Sequence, residues 1–139
     1  MKSRKHLELR YSDTDQMGVI YNANYLTYFM QGREQFALDL GFDYLDMEQS
    51  GYIFPVREAH VTYLKSIDLT DKVYVETSIH ELSKIKVVYY HEIKKEDGEL
   101  MSTGYTTVVC VSKEGIVSRM DRVMNDVYEA YLKAYKKSE

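Results

Sequence analysis

Arg10-Tyr11-Ser12-Asp13-Thr14-Asp15-Gln16-Met17-Gly18-Val19-Ile20-Tyr21-Asn22-Ala23-Asn24-Tyr25-Leu26 is the stretch on which the reading of the fold turns. Ahead of it, Leu7, Leu9 and Tyr11 alternate with Glu8 and Arg10, the period-two pattern of a half-buried strand. The polar run from Ser12 to Gly18 breaks that alternation, so a loop follows strand one. Beyond it, from Asn24 to Leu40, Tyr25, Phe29, Phe36 and Leu40 fall on one helical stripe, and Leu26, Met30 and Ala37 on the adjoining one. One long central helix is predicted there. Gly32 lies on the first stripe, where a missing side chain lets the helix axis approach a sheet closely, and Gly41 supplies a C-terminal stop.

Working outward from the helix, a polar connection through Glu48-Gln49-Ser50-Gly51 leads into strand-like sequence. Tyr52-Ile53-Phe54-Pro55-Val56 begins a second strand that runs to Tyr63-Leu64, with Pro55 making its start an edge or an irregular stretch. Val73, Val75, Thr77 and Ile79 alternate with charged or small residues, as do Ile85, Val87, Tyr89, His91 and Ile93, giving two more strands. Asp97-Gly98 is the signature of a tight hairpin turn into a last strand through Tyr105, Thr107, Val109 and Val111. From Met120, the residues Val123, Val127, Tyr131 and Ala134 recur at helical spacing, so an amphipathic helix with a charged tail closes the chain. Hairpin-length connections cannot make parallel crossovers, so the expected fold class is α+β: about five antiparallel strands in one curved sheet wrapped around one helix.

Composition narrows the function classes. A chain of 139 residues is the size of one domain, read here as 1–139, and 45% hydrophobic with 29% charged residues is the balance of a soluble globular protein. A net charge of -4 lacks the basic face that a phosphate-backbone binder needs, so no nucleic acid partner is expected. The first residues carry charge without an apolar run after them, and no stretch approaches a transmembrane segment, so the chain is expected to stay in the cytoplasm. The single cysteine, Cys110, cannot form an internal disulfide. The histidines His6, His60, His80 and His91 show no short metal-ligand spacing, so no metal is expected. The 14 tyrosines, against no tryptophan, suit either semi-polar cavity walls or ordinary amphipathic packing.

The segment from Arg10 to Leu26 resembles the signature of the 4-hydroxybenzoyl-CoA thioesterase and YbgC-like branch of the hot-dog superfamily. In that branch an Asp-x-x-Gly motif after the first strand precedes an aliphatic pair, an aromatic, and a tyrosine near the start of the central helix. Asp15, Gly18, Val19, Ile20, Tyr21 and Tyr25 fall on those positions, with further matches at Arg33, Val56-Arg57 and Tyr63. The resemblance implies a hot-dog fold and an acyl-CoA thioesterase that releases a free acid and coenzyme A. It implies no cofactor beyond the coenzyme A of the substrate, and a homodimer or homotetramer with active sites at the subunit boundary. It names Asp15 as the catalytic carboxylate with Gly18 in its turn, the backbone N–H of Asn22 as oxyanion donor, and Tyr21, Tyr25, Phe29, Arg57 and Tyr63 as substrate-binding residues.

The chemistry suits those residue types. Thioester hydrolysis needs a nucleophile or base beside the acyl carbon and donors aimed at the oxygen where negative charge develops. A loop carboxylate before a helix start offers both, because the first N–H groups of a helix have no intrahelical acceptor. Asp15 either attacks the carbonyl carbon, forming a mixed anhydride, or activates a water; Asp13, outside the motif, reads as a cap or turn residue. Asn22 stands where relatives often carry histidine, so that side chain delivers no proton to the leaving thiolate, and a dehydratase, which would need a histidine base there, is disfavoured. No Gly-rich phosphate cradle is present, leaving Arg57, Lys65, Lys84 and Lys86 either as coenzyme A contacts or as plain surface charges. An acyl carrier protein thioesterase and a non-catalytic acyl-CoA-binding protein remain the alternative readings.

Overall fold

A computed structural model describes residues 1–136. Five strands form one sheet: β1 (Ser3–His6), β3 (Val56–Tyr63), β4 (Val73–Leu82), β5 (Lys86–Lys95) and β6 (Leu100–Val109), in the order β1-β4-β5-β6-β3, with β2 (Tyr52–Ile53) standing apart. Every neighbouring pair is antiparallel. The turn at Asp97-Gly98 closes as expected, with Gly98 at a φ of 95°. Register shifts at Ile79/Glu81, Val56/Glu58 and Ile93/Lys94 bend the sheet, as bulges do.

The sheet curves around the central helix α1 (Asn24–Asp39), the α+β hot-dog arrangement the resemblance implied. Gly32 is the close-approach point: a Cβ there would lie 2.3 Å from Thr77 Oγ1. Gly104 on β6 plays the same part for Phe29, whose ring would meet a Cβ at 2.3 Å. Two apolar clusters result. One gathers Phe36, Ala37, Met47, Tyr89, Met120 and Tyr131 at the C-terminal half of α1; the other gathers Leu7, Ile20, Tyr25, Phe29, Ile67 and Met101 under its first turns. A polar chain runs between sheet and helix: His91 Nδ1 is 2.9 Å from Thr77 Oγ1, its Nε2 is 2.8 Å from Thr106 Oγ1, and Thr106 also accepts from Arg33 at 3.1 Å.

Several elements differ from the sequence reading. The first strand is Ser3–His6, not 7–11: Leu7 donates to the Val73 carbonyl at 3.0 Å, and the chain then leaves the sheet. The Asp13 carboxylate accepts the Arg10 N–H and converts Tyr11–Asp13 into a 3-10 turn, a local side-chain bond outcompeting the ladder. Leu26 and Met30 are exposed rather than core, because Tyr28 and Arg33 take the inward positions with their polar tips bonded. A short helix α2 (Tyr44–Gln49), started by Asp43 accepting the Leu45 N–H at 2.8 Å, occupies what read as a polar connection. The strand expected from Tyr52 onward divides at Pro55: β2 pairs instead with β7 (Val111–Ser112). The closing helix is two pieces, α3 (Met120–Val123) and α4 (Asn125–Lys136), broken at Met124; the rest of the charged tail lies outside the described residues. No helix among the described residues is long and apolar enough to cross a membrane.

Candidate active site

The loop between β1 and α1 is held from its buried end by Asp13. Its carboxylate accepts from the Arg10 N–H at 3.1 Å, the Arg10 guanidinium at 3.3 Å and the Tyr28 hydroxyl at 3.1 Å. Its carbonyl accepts from the Tyr21 N–H and the Asn24 amide, each at 2.8 Å. One residue therefore ties the 3-10 turn to the second turn of α1 and to the helix start. Burial, and then the bond to Asp13, push the Tyr28 phenol well above its ordinary range, so it stays a donor.

Asp15 opens a hairpin that its own sequence dictates. Its N–H donates to the Val19 carbonyl at 2.8 Å, and Gly18 N–H returns to the Asp15 carbonyl at 3.1 Å, with Gly18 at a φ of 80°. This is a turn followed by a left-handed residue, the geometry that favours glycine at that position. Asp15 Oδ1 accepts the Met17 N–H at 2.8 Å; Oδ2 has no hydrogen-bond partner among the described residues. Ile20 N–H donates to the Ile67 carbonyl at 2.8 Å, stapling the hairpin to the chain after β3.

The helix start is held in two peptide planes. Asn24 N–H donates to the Tyr21 carbonyl at 3.0 Å, and Tyr25 N–H reaches the Asn22 carbonyl at 3.4 Å. The Tyr63 hydroxyl, from the end of β3, donates to that same Asn22 carbonyl at 2.9 Å. All peptides among the described residues are trans, so with the Tyr21 carbonyl engaged the Asn22 N–H points the opposite way; no acceptor among those residues takes it. Tyr25 and Tyr63 meet edge to face at 4.8 Å, and Tyr25 has its phenol raised, by burial first and by Tyr63 second.

These groups share one cleft of about 540 Å³, whose walls include Asp15, Tyr21, Asn22, Tyr25, Tyr63 and Lys65. Gly18 sits in the turn beside it. Two residues expected to bind substrate lie elsewhere. Phe29 is fully buried, stacked on His91 at a ring separation of 4.5 Å. Arg57 lines a separate hollow of about 690 Å³ with Glu81, Lys86 and Tyr105, six residues or roughly 20 Å along β3 from Tyr63. A further hollow of about 590 Å³, between Leu40 and α4, adjoins the other end of α1 and has none of these groups on its walls. Sequence reading missed the bonded role of the Tyr63 hydroxyl; Asp13, read as a cap or turn residue, caps the 3-10 turn and also anchors the loop to Tyr28. Of the four cations it weighed, Lys65 lies on the cleft wall, ion-paired to Glu99. No group of three or more His, Cys, Asp or Glu among the described residues is arranged to hold a metal ion.

Asp15, with its unpartnered Oδ2, and Asn22, with its unpaired N–H, both line this cleft. The family described as thioesterase-like superfamily matches residues 9–131. YneP from Bacillus subtilis is 37% identical over 135 residues, spanning 96% of this chain and 98% of that protein. The acyl-CoA thioesterase YbgC from Haemophilus influenzae is 28% identical over 102 residues, spanning 73% and 74%. Among solved structures, the DHNA-CoA thioesterase from Staphylococcus aureus superposes with a TM-score of 0.95 at 41% identity, over 99% of this chain and 93% of that one.

Proposed function

The chain belongs to the thioesterase-like superfamily, and from that premise we propose that it is an acyl-CoA thioesterase, with Asp15 as its catalytic carboxylate and the Asn22 N–H as its oxyanion donor. The observation that carries the reading is that one cleft is lined both by Asp15, which has an oxygen without a partner, and by Asn22, which has an amide without an acceptor. In the direct route, Asp15 attacks the thioester carbonyl carbon. The carbonyl electron pair moves to oxygen beside the Asn22 N–H, the tetrahedral adduct expels the coenzyme A thiolate, and water cleaves the mixed anhydride to the free acid. In the water-activating route the same carboxylate takes a proton from water, and the same amide meets the oxyanion. Either way the donor acts most on the transition state, which is where an interaction accelerates a reaction.

The walls suit an aromatic acyl group, since Tyr21, Tyr25 and Tyr63 present ring faces and edges, and a similar protein acts on DHNA-CoA. In this reading Lys65, on the cleft wall and ion-paired to Glu99, meets an anionic part of the coenzyme. A second copy of the chain is the natural cover for the cleft: Met17, Tyr21 and Leu64 stand exposed on its walls, Leu26 and Met30 stand exposed on α1, and β3 leaves an open sheet edge.

The test is thiol release from a panel of short, long and aromatic acyl-CoAs, DHNA-CoA among them, and from acyl carrier protein thioesters. Asp15→Asn keeps the shape of the side chain and is expected to abolish release while leaving acyl-CoA binding intact. Full activity in that variant removes Asp15 from the mechanism. Release only from carrier-protein thioesters moves the substrate class, and binding without release in the unmodified protein leaves a non-catalytic acyl-CoA binder.

A further inference from the structure

The Tyr63 hydroxyl reaches across 41 positions of sequence to a backbone carbonyl at the mouth of the cleft, where its phenol is half exposed. A tyrosine recruited for cleft area alone needs no such bond, because water satisfies an exposed hydroxyl. The bonded carbonyl is that of Asn22, whose own N–H is unpaired. The turn is anchored by the Asp13 carbonyl, which accepts from the Tyr21 N–H and the Asn24 side-chain amide at 2.8 Å each, and by the 3.0 Å bond from the Asn24 N–H to the Tyr21 carbonyl; the Asn22 carbonyl itself receives from the backbone only the 3.4 Å bond from Tyr25, at the long end of hydrogen bonding. The 2.9 Å bond from Tyr63 is therefore the side-chain restraint on the peptide following Asn22. The ring is kept in place by its edge-to-face contact with Tyr25 at 4.8 Å.

We infer that Tyr63 is a positioning residue, a clamp from β3 that fixes the Asn22 backbone so that its N–H is preset for the oxyanion; the inference rests on the thioesterase reading above. A preset donor contributes because it needs no reorientation as charge develops, and a loosened turn forfeits part of that contribution. The clamp acts through Asn22 and handles no proton, since its hydroxyl is already committed to the carbonyl.

Tyr63→Phe keeps the ring and removes only the bond. The expected result is a kcat lowered about 10-fold, against the ~10²–10³ lost when an oxyanion donor is removed outright, with KM unchanged and the shape of the pH–rate profile preserved. In the same variant, amide hydrogen exchange at Asn24 and Tyr25 quickens while that at Phe29 stays as it was. A kcat within about twofold of the unmodified protein, or a rise in KM alone, makes Tyr63 merely a wall of the cleft and overturns the clamp. Loss of the basic limb of the profile makes it an acid instead, and overturns it too. Asp15→Asn runs beside it as the reference: if that variant is inactive and Tyr63→Phe is not slowed, the clamp alone falls. If the unmodified protein releases no thiol from any thioester, the parent reading falls and takes the clamp with it.

Discussion

Gly32→Ala tests whether the central helix owes its seat to the absence of one carbon. The added Cβ would stand 2.3 Å from Thr77 Oγ1, 3.3 Å from Val75 Cγ2 and 3.4 Å from His91 Nδ1. Thr77 has no room to yield: it is fully buried, its β-branched side chain is stiff, and its oxygen bonds His91 Nδ1 at 2.9 Å. If Thr77 turns away, a buried imidazole nitrogen loses its partner, costing ~1–3 kcal/mol. If α1 lifts instead, overpacking costs ~1–3 kcal/mol. Against this stands a helix-propensity gain of ~1 kcal/mol for alanine over glycine. Either penalty, set against that gain, leaves a net loss of about 1 kcal/mol, a measurable share of the stability of a domain this size. Urea unfolding followed by circular dichroism reads it as a lowered midpoint at unchanged slope. Thr77→Ala in the same background removes the offending oxygen, so the double variant should lose at least about 1 kcal/mol less than the two single losses added. A Gly32→Ala protein as stable as the unmodified one, or additive losses in the double variant, refutes the close-approach argument.

His91 makes stability depend on pH in a defined direction. Burial first, and the Arg33 charge second, hold its pKa well below 6.5, so the native imidazole stays neutral where the unfolded one takes up a proton. The unfolded state then binds more protons below about pH 6.5. This contribution to stability is whole above that pH and falls by ~1.4 kcal/mol per unit as the pH drops towards the native pKa. Urea midpoints between about pH 7.5 and pH 5 should show the decline, and His91→Gln should flatten it; equal slopes in both proteins would assign the decline to other groups. The cover inferred for the cleft predicts at least a dimer by light scattering at assay concentration, and a monomeric mass would rule it out.

What the sequence made legible follows from how local each determinant is. β4 and β5 were readable because one face of each packs on the core, and a one-residue slip would turn every apolar side chain outward. β1 was not. Its Arg4-Lys5-His6 carries no apolar signal, and it is held by pairing with β4 and by Arg4 reaching Glu76 at 3.3 Å across the strands. Leu7 and Leu9 mimicked a strand because they pack on the core beneath the loop: Leu7 makes a last bond to β4, at the Val73 carbonyl, and Leu9 is partly buried without one. Periodicity also could not tell which turn of a buried stripe meets a cleft. Tyr25 and Phe29 share a stripe, but only the first turn of α1 reaches the cleft, while Phe29 lies over Gly104.

The candidate site divides the same way, and the division says where its chemistry is vulnerable. The hairpin from Asp15 to Val19 closes with bonds among five consecutive residues, so its motif is readable and the turn can form wherever that motif occurs. The amide beside it is different. Under the clamp inference its direction depends on Tyr63, bonded to the Asn22 carbonyl, and on the Ile67 carbonyl, which holds the loop at Ile20; both come from chain some 40 residues away, and neither contact leaves a trace in the local pattern. A chain could keep every letter of the Asp15 motif and still present a poorly aimed donor. Under the proposed mechanism, then, the motif places the carboxylate, and the sheet aims the amide: strand β3 must carry the right side chain at its last position for a correctly spelled loop to become a working one.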